Sequence, residues 1–379
     1  MSAAVDFLTD LIHLNTVAAD EGAAARHCAS LLDQAGLRTQ LIDFEPGREQ
    51  LLATSRNDAG DAPLTLTGHL DTVPVDVEDW AVDPWSAERD GDRMIGRGTS
   101  DMKSGVAAAL IAVTEHAARS HRCRGVQVVL TSGEETGCDG AMKFPRVALR
   151  TGGPLIVCEP TSNALVPAHK GALWLKLTAS GVAAHGSSPE LGDNAAVRMA
   201  RAAVALHDYD SWPSQEGFGA VTANVGLLRG GVQPNVVPAA AELLLDIRTV
   251  PAADPTELRS LVGRLAGEKV SVADYRVLAP VNTSVDDPFV ALVSASLSAV
   301  GLDGKVAPPA RFFTDASALM PLLAKESGGS AFSSVPTVVL GPGEPDQCHV
   351  ANEWCSMQRV DEATAVYGAI LDRWCAGPH

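Results

Sequence analysis

The chain has 379 residues, 46% of them hydrophobic, more apolar matter than one core usually encloses, so two domains are expected. Its formal net charge of −17 would repel phosphate backbones and acidic membrane surfaces, which argues against nucleic acid or a membrane as a partner. No apolar run approaches the length of a membrane span.

Residues 1–16 lack a basic flank followed by an unbroken apolar stretch, so they do not read as a secretory signal. They read as an amphipathic helix with Val5, Leu8, Leu11 and Ile12 on one face. A short apolar strand at 64–67, an Ala-rich helix at 105–116 and buried strands at 126–130 and 155–158 follow. This alternation predicts a mostly parallel sheet covered by helices, whose ligands gather at the C-terminal ends of the strands. From about Ala172 the pattern changes to a strand at 173–178, a helix at 193–207, strands at 221–227 and 240–248 and a helix at 256–266. Strand, helix, two strands, helix, strand is the pattern of a small open-faced α+β domain. Helix–strand alternation resumes at Pro280 and ends in a helix at 361–374. The predicted class is therefore an α/β domain of mostly parallel sheet, residues 1–171 and 280–379, interrupted by a smaller α+β, ferredoxin-like domain at 172–279. Seven cysteines, an odd number without a CxxC pair, fit a cytoplasmic protein with reduced thiols better than a disulfide scaffold.

Five short segments carry the chemistry. They are Gly68-His69-Leu70-Asp71, Gly98-Thr99-Ser100-Asp101, Ser132-Gly133-Glu134-Glu135, Val157-Cys158-Glu159 and Gln347-Cys348-His349. Each is expected to end in a carboxylate or histidine where a strand stops. Together they supply two imidazoles and five carboxylates, enough to hold two divalent metals and leave a carboxylate free for proton transfer. In His69-x-Asp71 the imidazole suits a metal, and a carboxylate two residues on can hydrogen-bond the ring's other N–H. Asp101 precedes a helix and suits either an N-cap or a bridge between two metals. The adjacent Glu134 and Glu135 would repel each other at a buried strand end unless a cation or a shared proton intervenes. In extended chain they would face opposite ways and serve different roles. Neutral histidine with several hard oxygen ligands suits Zn²⁺, with Co²⁺ or Mn²⁺ as substitutes.

These segments resemble the two-metal amidohydrolase family of acetylornithine deacetylase, succinyl-diaminopimelate desuccinylase, aminoacylase and glutamate carboxypeptidase. The matching text is Gly-His-Leu-Asp-Thr-Val-Pro from Gly68, Gly-Arg-Gly-Thr-Ser-Asp-Met-Lys-Ser-Gly from Gly96, Gly-Glu-Glu from Gly133, Glu-Pro-Thr from Glu159 and the His349 segment. The resemblance implies that His69 and Glu159 bind one of two divalent metals, zinc or in its place cobalt or manganese, Glu135 and His349 the other, and that Asp101 bridges them. Asp71 would orient His69 and Glu134 would be the general base. Ala184-His185-Gly186 and the run from Gly230 to Pro238 resemble the family's lid and dimerisation domain, where the corresponding His, and often the Asn (here Asn235), reaches the partner subunit's active site. Arg248 resembles an arginine that holds a substrate carboxylate as a bidentate fork. Lys170 and Thr314 lie where relatives contact substrate. Cys138, Cys158 and Cys348 adjoin these segments, and the family gives them no ligand role. His116, His121, His169 and His207 are assigned no partner.

The resemblance implies a homodimeric enzyme that hydrolyses the amide bond of an N-acyl amino acid or small peptide. The loops Phe312-Phe313-Thr314-Asp315-Ala316-Ser317 and Gly341-Pro342-Gly343-Glu344 look closest to the acetylornithine deacetylase branch, with desuccinylase and dipeptidase or carboxypeptidase activities as runners-up. A catalytically silent peptide- or metal-binding homologue is disfavoured by the intact Glu134, Asp71 and ligand set. A structural zinc protein is disfavoured because such sites favour cysteine and need no spare carboxylates.

Overall fold

The computed structural model describes residues 2–17, 20–55, 62–119, 125–325 and 335–376; His121 lies outside them. The chain divides into two compact units. The first takes the chain up to Ala168, Asn282–Ala307 and the chain from Thr314 onward; the second takes His169–Val281 and Pro308–Phe313. Against the predicted bounds, residues 169–171, 280–281 and 308–313 fall in the second unit.

The first unit is built on a six-stranded sheet. Strands β1 (Arg38–Glu45) and β2 (Arg48–Thr54) form an antiparallel hairpin, closed at Pro46-Gly47, where Gly47 supplies a φ of 81° that side chains resist. Strands β3 (Leu64–His69), β4 (Val126–Thr131) and β5 (Leu155–Val157) follow. The spatial order is β1-β2-β4-β3-β5 and then Thr337–Val339. The last four members run parallel, and β2 meets β4 antiparallel. Every residue of β3, β4 and β5 is buried, as expected of parallel strands covered on both faces. The predicted mostly parallel sheet is present, with the hairpin as an antiparallel margin that the sequence reading did not name.

Helices α1 (Ala3–Ile12) and α3 (Ser104–Arg119) and the C-terminal helix Met357–Ala376 share one core with the sheet. Helix α2 (Glu21–Gln34) adds Ala24, Ala25, Cys28 and Leu32 to it. Helix α1 is capped by Ser2, whose hydroxyl accepts from the Val5 N–H, and it buries the predicted face of Val5, Leu8, Leu11 and Ile12. Helix α3 passes so close to β5 that a Cβ on Gly105 would lie 1.9 Å from the Cys158 carbonyl oxygen. No helix among the described residues is long and apolar enough to cross a membrane.

The second unit is a four-stranded antiparallel sheet of β6 (Gly171–Ser180), β7 (Thr222–Gly230), β8 (Ala240–Thr249) and β9 (Val270–Leu278), in the order β7-β8-β6-β9. Helices α4 (Ala195–His207) and α5 (Pro255–Ala266) share its core. Alternation explains the arrangement. Leu173, Leu175 and Leu177 of β6 and Leu243, Leu245 and Ile247 of β8 are buried with Met199, Leu206, Leu258 and Val262 of the helices, while the residues between them are less buried. Strand β6, α4, β7, β8, α5, β9 is the ferredoxin-like order. The cap of α4 is Asn194, which accepts from Val197 N–H. Asp193, the predicted start, instead pairs with Arg198 and Lys269.

Candidate metal centre

Four of the five segments lie where parallel strands of the first unit end. His69 is the last residue of β3. The turn with Glu134 and Glu135 follows β4, Glu159 follows β5, and the loop to His349 follows Thr337–Val339. This is where open α/β sheets place ligands. The fifth, Asp101, comes from the distorted turn Thr99–Lys103 leading into α3, with φ −116° and ψ 94°.

Asp101 divides its two oxygens between the two imidazoles. Its Oδ1 is 3.1 Å from His69 Nε2, and its Oδ2 is 3.3 Å from His349 Nε2. His69 Nε2 also lies 3.7 Å from Glu159 Oε1, and His349 Nε2 lies 3.0 Å from Glu135 Oε2. His69 is buried whereas the His349 side chain is 54% exposed, so the group is open to solvent on the His349 side.

Asp71 meets His69 through its main chain rather than through the expected carboxylate hydrogen bond. The His69 Nδ1–H is held by the carbonyl oxygen of Asp71 at 2.9 Å, and the carboxylate is 3.6 Å away. That carboxylate instead accepts the backbone N–H of Glu134 and of Glu135, each at 3.1 Å. Asp71 therefore fixes the ring through its main chain and the two glutamates through its side chain. Glu134 and Glu135 sit in a turn rather than extended chain, so strand alternation does not separate their roles.

The electrostatics follow from crowding. Burial raises the Glu134 carboxyl well above its usual range; His69 opposes that shift, and Glu159, Asp315 and Glu135 add to it. Glu159 is likewise pushed well up by burial and by Asp101, and Glu135 is raised for the same two reasons. Burial alone would raise Asp101, but its hydrogen bonds to His349 and His69 hold it below its usual range. Hydrogen bonds to Asp101 and Glu135 raise His349 to about 10. Burial would depress His69, yet Glu159 and Asp101 outweigh it and leave the ring raised. The cluster thus asks for positive charge beyond its two imidazoles.

The donors fit a divalent cation. Ligand atoms of His69, Asp101 and Glu135 lie within 4.8 Å of one another. Glu135 Oε1 is buried without a hydrogen-bond partner among the described residues, the state of an oxygen waiting for a metal. The donors are nitrogen and carboxylate oxygen, a set suited to zinc, cobalt or manganese.

Glu353 escaped the sequence reading. It is 0% exposed and holds the Asp101 turn together. Its carboxylate accepts from Gly98, Ser100 and Asp101 N–H at 2.9, 2.7 and 2.9 Å and from Arg97 Nη1 at 2.7 Å. The one signal was an acidic residue set immediately before the strand Trp354–Ser356. Asp315 also adjoins the site: buried, it accepts from Thr131, leaves Oδ1 unpartnered, and is pushed up to about 6 by burial. Thr314 is fully buried, and its hydroxyl accepts from Ala316 N–H at the start of the helix Ala316–Leu323. Cys138, with Sγ 3.8 Å from Glu134 Oε1, and Cys158 are buried thiols raised by burial. Cys348, between the ligand loop and Glu344, is raised for the same reason.

The other predicted residues lie in the second unit. His185 is exposed and its Nδ1 accepts from Ser187 N–H at 3.1 Å. The Gly186 N–H donates to the Asn235 carbonyl at 2.7 Å and the Val237 N–H to the Ala184 carbonyl at 2.9 Å, so the two family-like loops are joined. Arg248 Nε lies 3.1 and 3.0 Å from the two Asp246 oxygens, and its guanidinium covers the Phe313 ring at 4.8 Å. Its fork is already engaged by a carboxylate. Lys170 is 6% exposed, donates to the Ala220 carbonyl, and is lowered by burial and by Arg311.

Residues 65–373 match the model of peptidase family M20/M25/M40. A probable succinyl-diaminopimelate desuccinylase of Staphylococcus aureus is 25% identical over 97% of this chain and 98% of its own length. An acetylornithine deacetylase of Pasteurella multocida is 28% identical over 92% of this chain and 90% of its own. Among solved structures, an M20 family metallo-carboxypeptidase from Sulfolobus solfataricus superposes with a TM-score of 0.79 at 18% identity, covering 99% of both chains.

Proposed function

The chain belongs to peptidase family M20/M25/M40 and is a metallo-hydrolase, and from that premise we propose that it cleaves the amide bond of an N-acyl amino acid in the manner of an acetylornithine deacetylase. The observation that supports this reading most is the split of Asp101 between His69 and His349, with Glu134 fixed beside them by Asp71. In this reading His69 and Glu159 hold one divalent metal, Glu135 and His349 a second, and Asp101 both. Bound metal would supply Lewis-acid polarisation of the scissile carbonyl and acidify the attacking water. Glu134 takes the water's proton and delivers it to the leaving amine. Burial keeps Glu134 a weak acid, so it holds a proton more firmly than an exposed carboxylate would. In this reading Arg248 would turn from Asp246 to a substrate carboxylate, and Lys170 would also contact substrate. His185 and Asn235 would serve a partner subunit's site in a cytoplasmic homodimer, with His185 stabilising the oxyanion.

Desuccinylation is the second reading, because a relative bearing that name matches nearly the full length; dipeptidase or carboxypeptidase activity is the third. The deciding experiment loads the enzyme separately with zinc, cobalt and manganese. It then measures kcat/KM for N-acetyl-ornithine, N-succinyl-diaminopimelate, other N-acyl amino acids and dipeptides. A preference for an N-acetyl substrate supports the first reading. A preference for the N-succinyl substrate or for dipeptides replaces it, and no turnover of any of them with any metal leaves a silent homologue.

A further inference from the structure

Away from the metal centre, at the opposite end of α3 from Asp101, three residues that no part of the amide-hydrolysis reading uses fall into line. His116 lies in the last turns of α3 and is 6% exposed. Its Nδ1 is 2.8 Å from Asp372 Oδ1, and its Nε2 is 3.3 Å from Cys375 Sγ. Asp372 and Cys375 are both on the C-terminal helix, three residues apart and so on one face of it. Arg119 Nη2 stands 3.7 Å from the other Asp372 oxygen and helps hold that carboxylate in place. The arrangement is a nucleophile within reach of a base whose far nitrogen is fixed by a carboxylate. With Nδ1–H committed to Asp372, Nε2 carries the lone pair that faces the thiol.

The other described thiols differ. Cys28, Cys138, Cys158 and Cys355 are buried. Burial pushes Cys28 and Cys158 up to about 12, and Cys138 and Cys355 well above their usual value. Cys348 and Cys375 are partly exposed. Cys348 Sγ faces the carbonyl oxygen of Glu344 at 3.8 Å, an acceptor that cannot take a proton at neutral pH. Cys375 alone in this set has an imidazole nitrogen at its sulfur. The end of the C-terminal helix works against a thiolate there, because the carbonyl end of a helix is negative, and the contact that can offset this is His116 Nε2 at the sulfur.

We propose that Cys375 is the nucleophile of a Cys–His–Asp relay that takes small-molecule disulfides and becomes a mixed disulfide. The Cys375 proton passes to His116 Nε2. The thiolate attacks one sulfur of the incoming disulfide, the new Sγ–S bond forms as the old S–S bond breaks, and the departing thiolate recovers the proton from His116. One thiol and one disulfide are consumed, and one thiol and one disulfide are made. The role is independent of the amide-hydrolysis chemistry and leaves the metal ligands untouched.

The test uses the full chain carrying Cys123→Ser, because Cys123 lies outside the described residues and is a competing thiol. Dithiobis-nitrobenzoate and, separately, oxidised glutathione are the probes. One thiol per folded chain should react about tenfold faster than free glutathione at the same pH, and peptide mass spectrometry should place the adduct on Cys375. His116→Gln should return the rate to that of an ordinary exposed thiol. Asp372→Asn, a change at an exposed residue that spares the core, should slow it several-fold. Cys375→Ser should abolish the fast phase. A rate no greater than that of free glutathione, an adduct on another cysteine, or a fast phase unchanged in Asp372→Asn would overturn the proposal even if His116→Gln failed to fold.

Discussion

Glu134 and Glu353 show two ways a single carboxylate can matter. Glu134→Gln keeps the size and removes the basicity. Metal content should stay near that of the parent while turnover falls by several orders of magnitude; activity above about a tenth of the parent would remove Glu134 from the base role. Glu353 touches no predicted ligand side chain. It accepts three main-chain N–H groups around Asp101, and each group left unpaired in a buried site costs on the order of 1–3 kcal/mol. Glu353→Ala should therefore lower metal occupancy and activity roughly 10–100-fold, as loss of a ligand-orienting partner does. Glu353→Gln should recover part of both, because its amide oxygen still accepts. Equal metal content in the alanine variant and the parent would show that the turn holds without Glu353. The residues that meet in the cluster were legible because imidazoles and carboxylates at the ends of apolar strands are costly without a cation. Glu353 was not, because main-chain amides leave no mark in a sequence. Asp71 was half legible: the spacing announced a partner for His69, but not that the carbonyl would take the ring and the carboxylate the two glutamates.

The elements that read most clearly were those with one buried face. The alternation of Leu173 to Thr178 in the sequence matches the buried Leu173, Leu175 and Leu177 of β6 in the second unit's core. The β1–β2 hairpin was missed although Pro46-Gly47 is a turn signal. Strand β1 buries none of its residues fully, so it lacks the apolar period that identifies a strand. Close approach between elements is also silent in sequence. Gly105 reads as a weak point in an Ala-rich helix, yet it is where α3 meets the end of β5. Adding one methyl there places carbon 1.9 Å from the Cys158 oxygen, a backbone atom that cannot swing aside. Gly105→Ala should destabilise the protein by about 1–3 kcal/mol or more, read as a lower urea midpoint at unchanged slope. An equal or higher midpoint, as helix propensity alone would give, would mean that α3 can shift away from β5 without loss.

Over the whole molecule, buried titratable groups tie folding to pH, and the chain's copies can be tested against one another. His169 is 0% exposed and burial lowers its pKa from 6.5 to about 4. Between those values the unfolded chain binds a proton that the folded chain refuses, so stability is complete above pH 6.5 and drains as pH falls toward 4. The full difference is about 3 kcal/mol. The stability difference between the parent and His169→Gln, measured by urea unfolding, should shrink by up to that amount across this window; a constant difference would show that His169 takes up its proton without unfolding. Assembly poses the larger question. The His185 side chain is exposed and, among the described residues, is hydrogen-bonded to Ser187. If it serves a neighbouring subunit's site, two inactive variants should rescue each other. In a mixture of His185→Ala and Glu134→Gln chains, half the dimers formed by random exchange are mixed. One site in each then combines an intact Glu134 with an intact partner histidine, while the other lacks both. Up to about a quarter of the parent activity should return. The assay needs subunit exchange confirmed by mass spectrometry and the mass in solution by light scattering. Full exchange without recovery would put His185 in its own chain's site or outside catalysis, and a strictly monomeric, active protein would end the shared-site reading outright.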